Sequence, residues 1–426
     1  MVYAHPLNDY SKYERLNKCV FTREWGDNVD DWTAQNSDSR IHRWLGERAQ
    51  LVQALHFAWS SYSAFNYSGL AEFQNADIDW SNWERWILTS YERLCMMPKI
   101  HIGGTLWCGF DHNRGGAAFM FNGGMMDYFR QGKYSYEMFK AQRNPKQIHP
   151  VAESGPMVFI ANEMTPYSAE DVWVFSNCDE VRLTAFGKLA GSRKVRRKNY
   201  AMPSPPVVFK NAYSFMKTKA MRRNRKDKDC YLKAEGLIDG RVVVVQKKFP
   251  VDRIYKLVLK ADYCKTGLTA DGSDILPVIC YITDKRGFPV RFNYNNVEFS
   301  VEGEAEIVGD SFIGANPRKF EWGEAPLLIR STNKAGKVKI SAKLLHPRTF
   351  RNPNAAELEL ITLPPFEKML YSERRSKVVG EKKRDEKKVF KTDINVKNLH
   401  EKVKMLQEEL EEYRVKEMEK IQGTTG

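Results

Sequence analysis

The chain has 426 residues, enough for about two to four domains that each bury a core of their own. Hydrophobic residues make up 42% of it, which is typical of a globular protein, and no apolar run reaches membrane-spanning length. The net charge is +14, but fifteen Lys or Arg and only two Asp lie between Gly187 and Lys233, so the rest is nearly neutral. This distribution argues against a dedicated nucleic-acid-binding protein. For the basic segment itself, a solvated loop and an anion-binding patch are both open interpretations.

The seven cysteines are scattered and never show a CxxC spacing, which argues against a disulfide framework and a structural zinc site. No second His or carboxylate lies at a metal-ligand spacing from His112, and Walker, GxGxxG and GxSxG signatures are lacking. We therefore predict no metal and no cofactor. The N-terminus lacks the charged and apolar regions of a signal peptide, which by itself predicts an intracellular protein.

The first 146 residues have an α/β pattern. Apolar runs predict two buried strands, and apolar spacing of three and four predicts three helices. The strands are Cys19–Trp25 and Ile100–Phe110, and the helices are Glu47–Ala58, Trp83–Met96 and Tyr134–Arg143. Each strand is followed by a dense group of polar side chains, and in a barrel enzyme the chemistry lies at the C-terminal ends of such strands.

Three candidate site residues lie at the C-terminal end of the first strand: Glu24 and Trp25 in its last positions and Asp27 just after it. A carboxylate between Arg23 and an indole suits nucleophilic attack on an anomeric carbon, because the guanidinium keeps it ionised and the indole excludes water on one side. The alternative is structural: Glu24 forms an ion pair with Arg23 or accepts a hydrogen bond from a loop donor.

The second group of polar residues follows the second strand. Trp107, Asp111, His112 and Arg114 combine an aromatic platform, a carboxylate, an imidazole and a guanidinium within eight residues. Such a density of polar groups after a Gly-rich apolar strand indicates the rim of a binding site. An ordinary loop histidine and a local salt bridge between Asp111 and Arg114 are the competing interpretations.

From about residue 150 the sequence becomes all-β, with short apolar runs separated by Asn, Asp and Gly turns. Two spans, each near the ~100 residues of an immunoglobulin-like sandwich, are predicted. The first contains strands at Val158–Ala161, Asp171–Phe175, Glu180–Ala185, Arg241–Lys247 and Tyr255–Ala261, the last of which would close it. The second contains strands at Ile275–Thr283, Val297–Val301, Leu327–Arg330 and Val338–Ala342.

The final sixty or so residues differ again. Ser372–Lys391 is a mixed-charge run that cannot form a core. From Val396 to Tyr413, apolar residues recur at intervals of three and four, which predicts an amphipathic helix. A lone charged helix and self-association through this helix are both open.

Several motifs occur in one order along residues 15–362 and together resemble a known family. They are Phe21–Trp32, Ile102–Gly115, Asn122–Asp127, Gly132–Tyr136, Ala141–Arg143, Val174–Leu183, Ala270–Val278 and Phe299–Pro326. This series is similar to the C-terminal part of glycoside hydrolase family 2, the β-galactosidase-like enzymes. The resemblance implies a mixed fold: a C-terminal fragment of a (β/α)8 TIM barrel, two immunoglobulin-like β-sandwich domains and a charged helical tail. The implied boundaries are 1–146, 147–262, 263–364 and 365–426.

The same resemblance implies a retaining β-glycosidase that hydrolyses O-glycosidic bonds in carbohydrates through a covalent glycosyl-enzyme. Glu24 would be the nucleophile. The residues implied to bind substrate are Trp25, Asp27, Trp107, Asp111, His112 and Arg114, and the peptide after Trp107 is implied to be cis. The expected partner is a β-linked oligosaccharide or polysaccharide, with no nucleic acid and no membrane. Full-length family members are often exported, which leaves the compartment open.

One feature departs from the family pattern. The family's acid/base glutamate follows an asparagine on an earlier barrel strand, but only twenty-three residues precede Glu24 here. The expected form is therefore truncated, without the acid/base half of the barrel. Asn162-Glu163 is an Asn-Glu pair, but it follows the last barrel strand and is rejected for this role. The alternative function is a non-catalytic remnant that binds carbohydrate or a partner chain.

Overall fold

The computed structural model describes residues 2–4, 15, 18–25, 46–59, 100–106, 108–112, 123–150, 152–196, 202–262, 267–293, 295–346 and 355–365. Within these ranges the protein is built mostly from β-sheets, with few helices. None of the described helices is both long and apolar enough to span a membrane.

The N-terminal part contains a small parallel sheet. Its strands are β1 (Val2–Ala4), β2 (Val20–Trp25) and β3 (His101–Leu106), paired in that order. Both predicted strands are present, but β3 ends at Leu106 rather than Phe110 and is not buried, since Ile102 is 54% exposed. β1 is a third strand that the sequence did not predict. Because β2 and β3 are parallel neighbours, their C-terminal ends lie at the same edge of the sheet.

Two helices accompany this sheet: α1 (Glu47–Trp59) and α2 (Tyr134–Lys140). Both are confirmed predictions, since α1 begins at the predicted residue and ends one residue later, whereas α2 is shorter by one turn. Their apolar side chains form one cluster with residues of the neighbouring sheet, among them Leu55, Met138 and Trp173. The predicted helix Trp83–Met96 lies outside the described residues.

The first pair of antiparallel sheets follows. One sheet has the order β4-β5-β8, and the other has the order β10-β9-β6-β7. The strands are β4 (Val158–Ala161), β5 (Val172–Ser176), β6 (Glu180–Ala185), β7 (Lys188–Lys194), β8 (Val207–Phe209), β9 (Leu232–Ile238) and β10 (Arg241–Lys248), and helix α3 (Phe215–Arg223) lies between β8 and β9. Every residue of β5 is buried, because the inner face contributes Val172 and Val174 to the core of the sheet pair and the outer face contributes Trp173 and Phe175 to the cluster with α1 and α2.

The second pair of sheets has the orders β11-β13-β17-β15 and β12-β19-β18-β14-β16. Its strands are β11 (Lys256–Ala261), β12 (Leu268–Thr269), β13 (Ile275–Thr283), β14 (Asn296–Gly303), β15 (Ala305–Ile307), β16 (Arg318–Lys319), β17 (Glu324–Ser331), β18 (Lys337–Leu344) and β19 (Ala355–Leu363). Alternate residues of β18, such as Val338 and Ile340, point into one core between the sheets.

One prediction about these sheets is wrong. The strand Tyr255–Ala261 exists, as β11, but it does not close the first pair of sheets. Instead it pairs antiparallel with β13 along its whole length, from Lys256 opposite Thr283 to Ala261 opposite Val278. Leu257 and Leu259 therefore belong to the core of the second pair. The predicted charged run and helix after residue 371 lie outside the described residues.

Candidate active site

The C-terminal ends of β2 and β3 lie at one edge of the parallel sheet. In the parallel pair, Thr22 lies opposite Gly104 and Trp25 lies opposite Leu106, with an irregularity in the register between them. Glu24 and Trp25 therefore occupy the last two positions of β2, level with the point where the chain leaves β3. Asp27, Trp107 and Arg114 lie outside the described residues, as does the peptide bond predicted to be cis. Asp111 and His112 are described.

Asp111 is buried at the start of the segment that follows β3, with only 3% of its surface exposed. Its Oδ1 accepts a hydrogen bond from Lys133 Nζ at 2.7 Å and another from the backbone N–H of Gly124 at 2.9 Å. The side chains of both Asp111 and Lys133 are fully buried. Burial raises the pKa of Asp111 to about 7, although the nearby ammonium opposes this rise.

The second oxygen of Asp111, Oδ2, is also buried and has no hydrogen-bond partner among the described residues. Lys133 was not predicted as a site residue. The ion pair that it forms with Asp111 joins two segments twenty-two residues apart, the one after β3 and the one before α2. This buried charge pair therefore fixes the chain where it leaves the sheet edge.

Backbone hydrogen bonds reinforce this arrangement. The N–H groups of Met125 and Met126 donate to the carbonyls of Cys108 and Gly109, and the N–H of Asp111 donates back to Met126. At Gly124 a Cβ atom would lie only 2.3 Å from the backbone nitrogen of Asp111, so only glycine fits this close approach. The segment after β3 is thus held in place by the segment that returns to it at residues 124–126.

His112 is partly buried beside the same segment. Its Nδ1 lies 3.3 Å from the carbonyl oxygen of Phe110 and 3.5 Å from Cys108 Sγ. With the proton on Nδ1, the ring donates to the Phe110 carbonyl and Nε2 becomes the acceptor. These contacts orient the imidazole at the end of β3.

The second pair of sheets also contacts this region. Asp127 caps a turn by accepting hydrogen bonds from the N–H groups of Phe129 and Gln131. Arg318 of β16 donates to the hydroxyl of Tyr128 at 2.9 Å, and its guanidinium lies 4.2 Å from the centre of the Phe129 ring. A cation over an aromatic face adds attraction beyond the hydrogen bond. Arg318, from the second pair of sheets, therefore stabilises the segment around Tyr128 and Phe129.

Glu163, rejected above as the acid/base, lies in a separate buried network. It forms ion pairs with Lys248 at 2.6 Å and Arg291 at 3.5 Å, and Arg291 also pairs with Glu324 at 2.8 Å. Burial alone raises the pKa of Glu163, but the two cations outweigh it and lower the value to about 2. The carboxylate is thus held ionised in a structural role at the junction of the two sheet pairs.

Glu47, the first residue of α1, joins this network. It accepts hydrogen bonds from the backbone N–H of Glu163 at 2.9 Å and from the hydroxyl of Ser168 at 2.5 Å. Burial, followed by the charge of Glu163, raises the pKa of Glu47 to about 8. A cleft of about 920 Å³ lies beside it, with Tyr167 and Phe292 in its lining; no described residue of β2 or β3 lines this cleft. Because its pKa is about 8, Glu47 is mostly protonated at neutral pH.

Parts of the chain are similar to known proteins. Residues 257–346 match the glycoside hydrolase family 2 C-terminal domain 5. The chain is 29% identical over 250 residues to a β-galactosidase of Thermoanaerobacter pseudethanolicus, covering 57% of this chain and 31% of that protein. It is 24% identical over 303 residues to a β-galactosidase of Bacteroides ovatus, covering 67% of this chain and 31% of that protein.

Among solved structures, a family 2 β-glucuronidase aligns with 81% of this chain and 32% of its own, at 19% identity and a TM-score of 0.48. The resemblance to glycoside hydrolase family 2 is confirmed, and the chain corresponds to a C-terminal portion of such proteins. The two relatives described above each match more than half of this chain and are both named β-galactosidases, which indicates a glycoside hydrolase lineage. The chain spans about a third of the length of the two β-galactosidases.

Proposed function

We propose that this chain is part of a retaining β-glycosidase, β-galactosidase-like, in which Glu24 attacks the anomeric carbon. In this proposal β2 and β3 belong to the end of a (β/α)8 catalytic barrel, and the two pairs of sheets are immunoglobulin-like sandwiches. The first sandwich ends with β10 and the second begins with β11. The substrate is a β-linked oligosaccharide or polysaccharide.

The observation that carries the proposal is the register of β2 and β3. It supports a site in which Glu24 and the segment after Leu106 share one sheet edge, the arrangement that a glycosidase nucleophile and its sugar-binding residues require. The family 2 match over residues 257–346 supports the same class of protein from an independent part of the chain.

The proposed site residues have two kinds of role: some contact the sugar, and one positions the chain. Trp25, Asp27, Trp107, His112 and Arg114 are proposed to contact the sugar. We assign Asp111 to positioning instead, because its carboxylate is buried and already bonded to Lys133 and Gly124. No residue of this sequence is assigned as the general acid/base that completes double displacement.

The test exploits the chemistry of the leaving group. A 2-deoxy-2-fluoro-β-galactoside with a dinitrophenolate leaving group needs no general acid for its departure, so it can label the nucleophile where the acid is lacking. The full-length chain is incubated with this reagent, digested and mapped by mass spectrometry. We expect the glycosyl adduct on the peptide that contains Glu24, and none on the variant E24Q. An adduct elsewhere, or no adduct on a folded chain, would overturn the assignment.

The alternative of a non-catalytic binding remnant is not favoured, since the curated relatives are hydrolases by name.

A further inference from the structure

The first pair of sheets carries an unusual concentration of unpaired positive charge. Thirteen of the fifteen basic residues between Gly187 and Lys233 are described. Arg222 pairs with Asp252 and Lys233 pairs with Glu235. The remaining eleven are exposed and form no ion pair with any described residue: Lys188, Arg193, Lys194, Arg196, Lys210, Lys217, Lys219, Arg223, Arg225, Lys226 and Lys228. We call this set the basic patch.

The fold brings three segments of the basic patch together. Lys217 of α3 lies over the ring of Phe186, 4.6 Å from its centre, at the turn where β6 joins β7. Asp229 packs against Gly187 in the same turn, which places the chain after α3 beside the start of β7. These contacts make α3, the turn that follows it and β7 one continuous surface.

A third contact extends the patch along β7. The ring of Phe209 lies beside Gly191 in the middle of this strand. Lys210 follows Phe209 in the chain and therefore lies near β7. Lys188 and Lys194 are six residues apart on an edge strand, a span of about 20 Å at the usual rise of an extended chain. The span between these two lysines is long enough for several charged units of a linear polymer.

The chemistry of the patch favours a saccharide over a nucleic acid. Two aliphatic side chains stand exposed among the cations, Leu189 at 63% and Met216 at 69%, and they can cover the C–H faces of sugar rings. The nearby rings of Phe186, Phe209 and Tyr213 are buried, so they cannot stack on bases as single-stranded nucleic acids require. Carboxylates also lie among or beside these cations: Asp227 and Asp229 in the turn after α3, Glu180 opposite Lys194, and Asp171 beside Asn211. The eleven unpaired cations outnumber these four carboxylates.

We propose that the basic patch binds a polysaccharide that carries carboxylate or sulfate groups, separately from the site at the ends of β2 and β3. This inference rests on the proposed function, since it supplies the reason why the protein meets polysaccharides. The patch would hold a distant part of the same polymer and raise its local concentration at the site.

The test compares two full-length variants that lose the same charge. The patch variant is K217Q/R223Q/K226Q, and the control K256Q/K337Q/K343Q removes three exposed lysines of the second pair of sheets. Binding of heparin, alginate, neutral dextran and duplex DNA is measured by calorimetry at several salt concentrations. All six substitutions are at exposed positions, so each should change stability by no more than about 0.5 kcal/mol.

We expect heparin, alginate or both to bind the unmodified chain, with an affinity that falls as salt rises. The patch variant should lose about tenfold or more, and the control much less. Binding of heparin alone would identify sulfate as the recognised group, whereas binding of both would include carboxylate.

Three results would overturn the proposal: equal losses in the two variants, equal binding of neutral dextran, or tighter binding of DNA than of either polyanion at equal charge. The inference and the proposed function can fail separately. The patch variant should keep the adduct on Glu24, and E24Q should keep polyanion binding. A folded chain that binds heparin but never labels at Glu24 refutes the catalytic assignment alone.

Discussion

Burial of Glu47 should make the stability of this protein depend on pH. Glu47 is 2% exposed, and its pKa rises from 4.5 to about 8 because it is buried and faces Glu163. A folded-state pKa above the unfolded value contributes stability that is fully present below pH 4.5 and is lost as pH rises through 8. Above that range the folded protein must hold two buried, ionised carboxylates, those of Glu47 and Glu163, whose charges repel each other.

The variant E47Q copies the protonated acid. Its amide oxygen can accept the hydrogen bond from the N–H of Glu163, and its amide N–H can donate to the hydroxyl of Ser168. Because glutamine does not titrate, the loss with rising pH should vanish. Between about pH 5.5 and 8.5 the stability of E47Q relative to the unmodified protein should increase by about 3 kcal/mol.

The assay is calorimetric unfolding of both proteins in matched buffers across this range. Other titrating groups cancel in the difference between the two curves. E170Q is the control, because Glu170 is exposed beside the same cleft and its substitution should leave the pH profile unchanged. Parallel profiles for E47Q and the unmodified protein would refute the argument, since Glu47 would then be ionised throughout.

Three further substitutions test the support of the candidate site. K133M should destabilise the protein by about 1–3 kcal/mol in denaturant unfolding, because the buried Asp111 carboxyl, whose pKa is already raised to about 7, loses its charged hydrogen-bond partner; D111N/K133M should recover part of that loss, and a double variant no more stable than K133M would contradict the pairing. G124A should lower the melting temperature, because its Cβ would meet the backbone of Asp111 at 2.3 Å; an unchanged melting temperature would refute the close approach. Y128F removes the hydroxyl that Arg318 bonds and should cost about 0.5–1.5 kcal/mol by the same measurement, and no cost would show that the ring contact carries the interaction.

The individual strands could be predicted well from the sequence. Val158–Ala161, Glu180–Ala185 and Ile275–Thr283 have the predicted bounds. Turn residues mark where such strands stop, and in β6 the alternation of buried and partly buried residues shows which face meets a core. Neither signal names the partner strand, which is why Tyr255–Ala261 was assigned to the wrong pair of sheets.

The contacts of the candidate site could be predicted less well from the sequence. Lys133 lies in a motif noted for its family resemblance, yet no local pattern marks it as a partner of Asp111, twenty-two residues away. Lysine is almost never fully buried unless it is paired, so its burial follows only from knowing the fold. The network of Glu47, Glu163 and Arg291 joins residues more than a hundred positions apart and has no sequence signature.

Arg291 has a consequence for how such proteins can be recombined. Strand pairing alone suggests that the two pairs of sheets are modules that could be exchanged separately, with the boundary between β10 and β11. However, the guanidinium binds Glu163 on one side of that division and Glu324 on the other. Exchanging either module for a foreign one would leave an unmatched buried charge, which costs several kcal/mol. Selection should therefore keep the two sandwiches together as an inherited pair, with the three charged positions changing in concert.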